Sequence, residues 1–193
     1  MRPARPTPPA HVRAQAPDFD SAHFRRSLGC FATGVTVVTA HAPEPESPGA
    51  SPYVGLTASS FNSVSLAPPL VLWSLDLQAN CLPLFHGGSH YVINVLADHQ
   101  LDICERFAYG EGDRFATTPY RLSASGLPII EGALAWFECH NRSRYEEGDH
   151  VIFVGEVERC GWREGGAPLV YQGGRFGTVG PLLAAGTGLD QKR

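Results

Sequence analysis

The segment Gly55-Leu56-Thr57-Ala58-Ser59-Ser60-Phe61 sets three hydroxyls and a glycine at the end of an apolar run. Small side chains let backbone N–H groups approach a ligand closely, and hydroxyls with amides can hold a phosphate without a lysine or arginine. The same composition also makes an ordinary Ser/Thr-rich turn. A second polar cluster, Ser74-Leu75-Asp76 followed by Gln78-Ala79-Asn80-Cys81, comes directly after the apolar stretch 70–75. Sites often lie on loops after strands, although such loops are polar in any case. Asn94 stands alone in the apolar run YVINVL (91–96). If buried it must find partners, and either a backbone group or a ligand edge would serve. Gly148-Asp149-His150 opens a further apolar run, and a histidine at a strand start is a candidate functional group. The plainer alternative there is a turn aspartate beside a surface histidine.

Other chemistries lose support. Neither GxxxxGK[ST] nor GxGxxG occurs, so no P-loop or dinucleotide fingerprint is expected. GxSxG is absent, and Glu146 and Glu147 read as a solvated turn rather than a catalytic carboxylate pair. The five cysteines, Cys30, Cys81, Cys104, Cys139 and Cys160, are scattered and form no CxxC. That pattern fits reduced thiols in a cytoplasmic protein, with no metal site. The eight histidines include no HExxH. The net charge of −4 argues against a nucleic-acid partner, and no apolar run approaches the roughly 18 residues of a membrane span.

The elements that must position these groups follow from periodicity and punctuation. The chain has 193 residues, 43% hydrophobic and 18% charged, which suits one globular domain. Residues 1–17, rich in Pro, Ala and Arg, read as a disordered tail, and 182–193 as a loose one; the domain is 18–181. Asp20 or Ser21 can cap a helix whose Phe24, Leu28 and Phe31 share one face. Strands are expected at 33–40, 53–61, 70–75, 91–96, 133–140, 150–159 and 168–171, with 41–52 a turn-rich loop. A helical turn is expected around Leu82–Phe85, and a longer helix capped by Asp98. Residues 109–132 read as an irregular excursion or lid. Strands in hairpin order with few helices predict a mainly β fold, an antiparallel barrel with peripheral helices.

Taken in order, FRRSLGCFATGVTVVTA (24–40), GLTASSFNSVSLAPPLVLWSL (55–75), YVINVL (91–96), RFA (106–108), DRF (113–115), LPIIEGALAWFEC (127–139), GDHVIFVGEVE (148–158) and PLVYQGGRFG (168–177) resemble the flavin reductase family. The resemblance implies an FMN-binding split β-barrel of Greek-key topology, a homodimer, and flavin at or near the subunit interface. It implies hydride transfer from NADH or NADPH to FMN or FAD by positioning, with no residue acting as catalytic acid or base, and a separate oxygenase that receives the reduced flavin. Thr57, Ala58, Ser59 and Ser60, with Gly55 leading into them, match the loop that holds the flavin phosphate and ribityl chain. Ser74, Leu75 and Asp76 match the segment flanking the flavin ring. Asn80 and Cys81 fall where the family often carries Ser, Lys or Arg, and here bring no positive charge. Asn94 and Val95 match the strand beside the ring, and His150 and Phe176 the nicotinamide side. Two other readings stay open: an oxidoreductase that keeps its flavin and acts on an organic substrate, and a non-catalytic flavin-binding protein of the same fold.

Overall fold

A computed structural model describes residues 20–42 and 49–181; the two expected tails, and the middle of the expected 41–52 loop, lie outside the described residues. Asp20 caps helix α1 (Ser21–Leu28), its carboxylate accepting the His23 N–H at 2.6 Å. Seven strands form one antiparallel sheet in the order β3-β2-β6-β9-β10-β5-β4. These are β2 (Thr36–His41), β3 (Tyr53–Ala58), β4 (Asn62–Leu66), β5 (Pro69–Asp76), β6 (His90–Val95), β9 (Ala135–Glu147) and β10 (His150–Trp162). β1 (Thr33–Gly34), β11 (Leu169–Gln172) and β12 (Arg175–Thr178) make a small sheet, and β7 (Tyr120–Leu122) with β8 (Pro128–Ile130) a hairpin. The large sheet curls without closing by a ladder. Its β3 end returns to β5 through one side chain: Ser60 Oγ accepts the Ser74 N–H at 2.9 Å and donates to the Ser74 carbonyl at 3.1 Å. A mainly β split barrel is therefore what the hairpin order predicts.

β2 and β6 are buried on both faces, which is why both read as continuous apolar runs rather than alternating ones. Val38, Ala40, Tyr91 and Ile93 enter one core with Trp73, Phe85 and Phe153. Trp73 stacks on Phe153 at 4.6 Å and meets Phe85 and Tyr91 edge-on. Val35 and Val37 face the opposite way, into a second core under helix α3 (Leu101–Tyr109) with Ile103, Cys104, Phe107 and Phe115. Gly55 is small for this packing: a Cβ there would lie 2.6 Å from the Phe107 ring.

Several elements differ from the sequence expectation. Asp98 does not cap α3. It begins a single 3-10 turn (Asp98–Gln100), where the Gln100 side chain accepts the Ala97 N–H at 3.0 Å. Residues 62–66, outside every expected strand, form β4 and pair with β5. β9 runs through Tyr145 to Glu147, so the turn shrinks to Gly148 and Asp149, with Gly148 at φ 63. The apolar residues of α1 do not enter the core; Leu28 and Phe31 are 56% and 72% exposed.

Candidate functional site

A groove of about 870 Å³ opens where four parts of the chain converge. That is within the roughly 300–1,000 Å³ usual for small-molecule sites. Its floor is β3, from Tyr53 through Thr57, continuing to Ser59. One side is the end of β5 at Leu75 and the loop Ala79-Asn80-Cys81 that leads into the short helix α2 (Leu82–Gly87). The opposite side is the C-terminal turn of α3 and the segment Tyr109–Phe115. The β11–β12 hairpin contributes Tyr171 and Phe176.

The sequence-derived residues divide into those the groove gathers and those engaged elsewhere. Gly55, Thr57, Ser59, Leu75, Asn80, Cys81 and Phe176 all line it. Thr57 Oγ1 donates to the Cys104 carbonyl at 2.7 Å, so this hydroxyl also ties β3 to α3. Ser59 and Asn80 make no side-chain hydrogen bond among the described residues, leaving a hydroxyl and an amide for a ligand. Ala58 is buried and its carbonyl accepts from Thr36 Oγ1 at 2.8 Å. Ser60 and Ser74 are bonded to each other across the open seam of the barrel.

Asn94 is fully buried and takes the structural option. Its amide donates to the Val37 carbonyl at 3.1 Å and accepts the Ile130 N–H at 2.9 Å. Val95, half-buried, is paired with Thr36 on one side and Ala135 on the other. Asp76 and His150 face each other in the β5–β10 ladder, one step beyond the Leu75–Val151 pair. His150 Nδ1 lies 2.7 Å from Asp149 Oδ1. That contact holds the Asp149 carboxyl below its usual range. His150 therefore stands at the strand end next to Leu75's partner rather than in the groove lining.

One lining residue was left without a role by the sequence reading. Arg114, in the DRF stretch, is the only Lys or Arg among the described residues of the groove. Its Nε donates to the Gly110 carbonyl at 3.0 Å, and its Nη1 to the carbonyls of Gly55 at 3.0 Å and Phe107 at 3.2 Å. The available signal was the cation itself within a motif stretch, but its partners are β3 and α3 carbonyls that no spacing rule connects. Beside it, Asp113 accepts the Ser51 N–H and hydroxyl, both at 2.9 Å, and the Phe115 N–H at 2.9 Å. Partial burial opposes its ionisation, yet these donors outweigh it and hold the carboxyl below the usual range. Burial pushes the Cys81 thiol up, and the nearby Arg114 charge offsets part of that.

These groups suit an elongated ligand with a flat ring and an anionic tail. The hydroxyl of Ser59, the amide of Asn80 and the guanidinium of Arg114 offer donors, while Leu75, Tyr171 and Phe176 offer apolar and aromatic surface. A flavin nucleotide meets that description. Among the described residues no helix is long and apolar enough to cross a membrane, and no cluster of metal ligands occurs.

Comparison with known proteins leads to the same place. The model of the flavin reductase like domain matches residues 28–180. The chain is 43% identical to FMN reductase (NADH) SmoA of Agrobacterium fabrum, over 82% of this chain and 86% of that one. Its fold is similar to NADH:FAD oxidoreductase SgcE6 of Streptomyces globisporus in complex with NAD and FAD fragments. There the TM-score is 0.79 at 36% identity, covering 88% of this chain and 98% of that one. The styrene monooxygenase flavin reductase of Pseudomonas putida superposes with a TM-score of 0.71 at 31% identity, covering 83% of this chain and 99% of that one. With a matching domain model across the whole barrel and a groove whose donors suit a flavin nucleotide, the chain belongs to the flavin reductase-like family.

Proposed function

We propose that this protein is an oxidoreductase that passes a hydride from NADH or NADPH to FMN or FAD, and that the reduced flavin serves a separate oxygenase. The observation that carries the reading is the groove itself. Hydrogen-bond donors at Ser59, Asn80 and Arg114 share one cleft with the aromatic wall of Tyr171 and Phe176. A bound flavin would supply the redox chemistry, as the acceptor of a hydride from the reduced nicotinamide. The protein's part is positioning, since two rings must be held face to face at near-attack distance. Leu75 and the Tyr171–Phe176 hairpin supply the apolar surfaces for that stacking, and His150 with Phe176 receives the nicotinamide. The SgcE6 complex with NAD and FAD fragments supports both ligands, and the styrene monooxygenase reductase supports the oxygenase partner.

Two further parts belong to the same proposal. The protein works as a homodimer, with the exposed Leu28 and Phe31 of the α1 region covered by a second copy. It resides in the cytoplasm, where its five free cysteines stay reduced. The test is anaerobic mixing of the protein with NADH or NADPH and with FMN or FAD, following flavin absorbance. Bleaching that requires both the pyridine nucleotide and the protein is expected, and no bleaching with any pairing refutes the reading. His150→Ala is expected to raise the KM for the nicotinamide roughly ten-fold while the flavin KM stays put. A loss of flavin binding in that variant removes the nicotinamide assignment.

A further inference from the structure

Arg114 presents an unusual balance of charge. It is half-buried, and no carboxylate lies within 4.0 Å of its guanidinium among the described residues. Its sequence neighbour Asp113 is turned away, bonded to Ser51 and Phe115. Three carbonyls, of Gly55, Phe107 and Gly110, take the Nε and Nη1 protons. Carbonyl dipoles satisfy hydrogen bonds but leave the positive charge uncompensated, which is costly for a partly desolvated cation. The same three bonds fix the plane of the guanidinium, so its Nη2 is left over with its direction already set. A planar cation immobilised in this way loses little freedom on meeting an anion, and arginine is the side chain best matched to phosphate oxygens. Ser59 and Asn80, whose polar groups make no side-chain hydrogen bond among the described residues, line the same groove.

We propose that the Arg114 guanidinium, locked by the carbonyls of Gly55, Phe107 and Gly110, is the charge that recognises the phosphate of the flavin's tail. It makes the groove select phosphorylated flavins over riboflavin. The proposal rests on the reading of the groove as the flavin site. It assigns the positive charge to the segment after α3, whereas the Asn80-Cys81 pair supplies none. Arg114 also joins β3 to the end of α3, so a purely structural role must be separated from recognition. Riboflavin makes that separation, because it carries the ring and ribityl chain without the phosphate.

The experiment compares FMN and riboflavin binding, by fluorescence titration, to the wild-type protein, Arg114→Gln and Arg114→Lys. Wild type is expected to prefer FMN, with an affinity that falls as salt rises. Arg114→Gln should weaken FMN roughly 10- to 100-fold and riboflavin less than about two-fold, erasing both the preference and the salt dependence. Arg114→Lys should recover part of the FMN affinity, because it keeps the charge but not the fork. Equal losses for the two flavins in Arg114→Gln, or an unchanged FMN affinity, overturn the assignment of Arg114 while leaving the groove as the flavin site. If Arg114→Gln does not fold, a wild-type protein that binds FMN no more tightly than riboflavin, or whose FMN affinity does not fall as salt rises, overturns it equally. A wild-type protein that binds neither flavin removes the underlying reading and this proposal with it.

Discussion

Residues 109–132 look uniform in sequence, yet the two halves of that stretch do opposite things. The second half is clamped to the barrel from below. Glu138 on β9 is fully buried, and its carboxylate accepts the Ser123 hydroxyl at 2.5 Å and the Ser125 N–H at 2.7 Å, with Arg159 at 3.4 Å. Asn94 takes the Ile130 N–H, Thr39 Oγ1 donates to the Pro128 carbonyl at 2.7 Å, and Gln100 Nε2 donates to the Glu131 carbonyl at 2.8 Å. The first half is attached from above and faces the groove. Tyr109 is 78% exposed, Asp113 holds the Ser51 side, and Arg114 leans on backbone carbonyls alone. Polar groups thus tie the second half to buried side chains of the barrel, whereas in the first half the Arg114 guanidinium is held by backbone carbonyls and lines the groove. An excursion can serve a site when one part of it is immobile enough to fix the other.

Mutations should separate the halves. The largest effect is expected from Glu138→Ala, which removes a fully buried carboxylate and leaves the Ser123 hydroxyl and the Ser125 N–H without their acceptor. It should cost about 2–4 kcal/mol of stability in denaturant titrations while leaving flavin affinity within about two-fold. Acid probes the same clamp. Burial opposes ionisation of Glu138, but its donors win and keep the carboxyl below the usual 4.5. A carboxyl depressed on folding contributes its full stabilisation above the unfolded value, and loses it as pH falls through the folded one. Stability should therefore decline below about pH 4.5, and less steeply in Glu138→Ala than in wild type.

The groove half should respond the other way. Asp113→Ala is expected to cost under about 1 kcal/mol of stability, since that carboxylate is largely exposed. By loosening the wall that carries Arg114 it should weaken flavin binding roughly 2- to 5-fold. Ser59→Ala should be the mildest for stability, with no measurable shift in melting temperature. It should cost about 0.5–1.5 kcal/mol of flavin affinity, the value of one hydrogen bond. A Ser59→Ala protein with unaltered flavin affinity but reduced stability would make Ser59 an anchor like Glu138 and dissolve the contrast.

The barrel and part of the candidate groove lining were legible in the sequence, for physical reasons that individual residues illustrate. β2 and β6 were legible because burial on both faces requires unbroken apolar runs, as in TVVTA and YVINV. β4 was not, since Asn62–Leu66 is an exposed edge strand with a polar pattern that reads as loop. Thr57, Ser59, Asn80 and Cys81 were legible as small or polar groups clustered in sequence. Asn94 was recognised as a group that needs partners, but Val37 and Ile130 lie far from it along the chain. Glu138 looked like one more strand residue, because the loop that desolvates it folds back from positions 123–125. Ser60 and Ser74 read as ligand groups, and only the curl of the sheet shows that they meet each other. Long-range pairing of this kind leaves no periodic trace in a single sequence.

The cysteines provide the most direct test that a flavin occupies the groove. Cys81 lines it, while Cys30 and Cys160 are exposed elsewhere, and burial pushes Cys104 and Cys139 up to about 11 and about 12. Alkylation by iodoacetamide, resolved residue by residue by mass spectrometry, can be run with and without FMN. The account predicts that FMN at ten times its Kd slows labelling of Cys81 roughly ten-fold and leaves Cys30 and Cys160 unchanged. Labelling of Cys81 at the same rate with saturating FMN bound would contradict it.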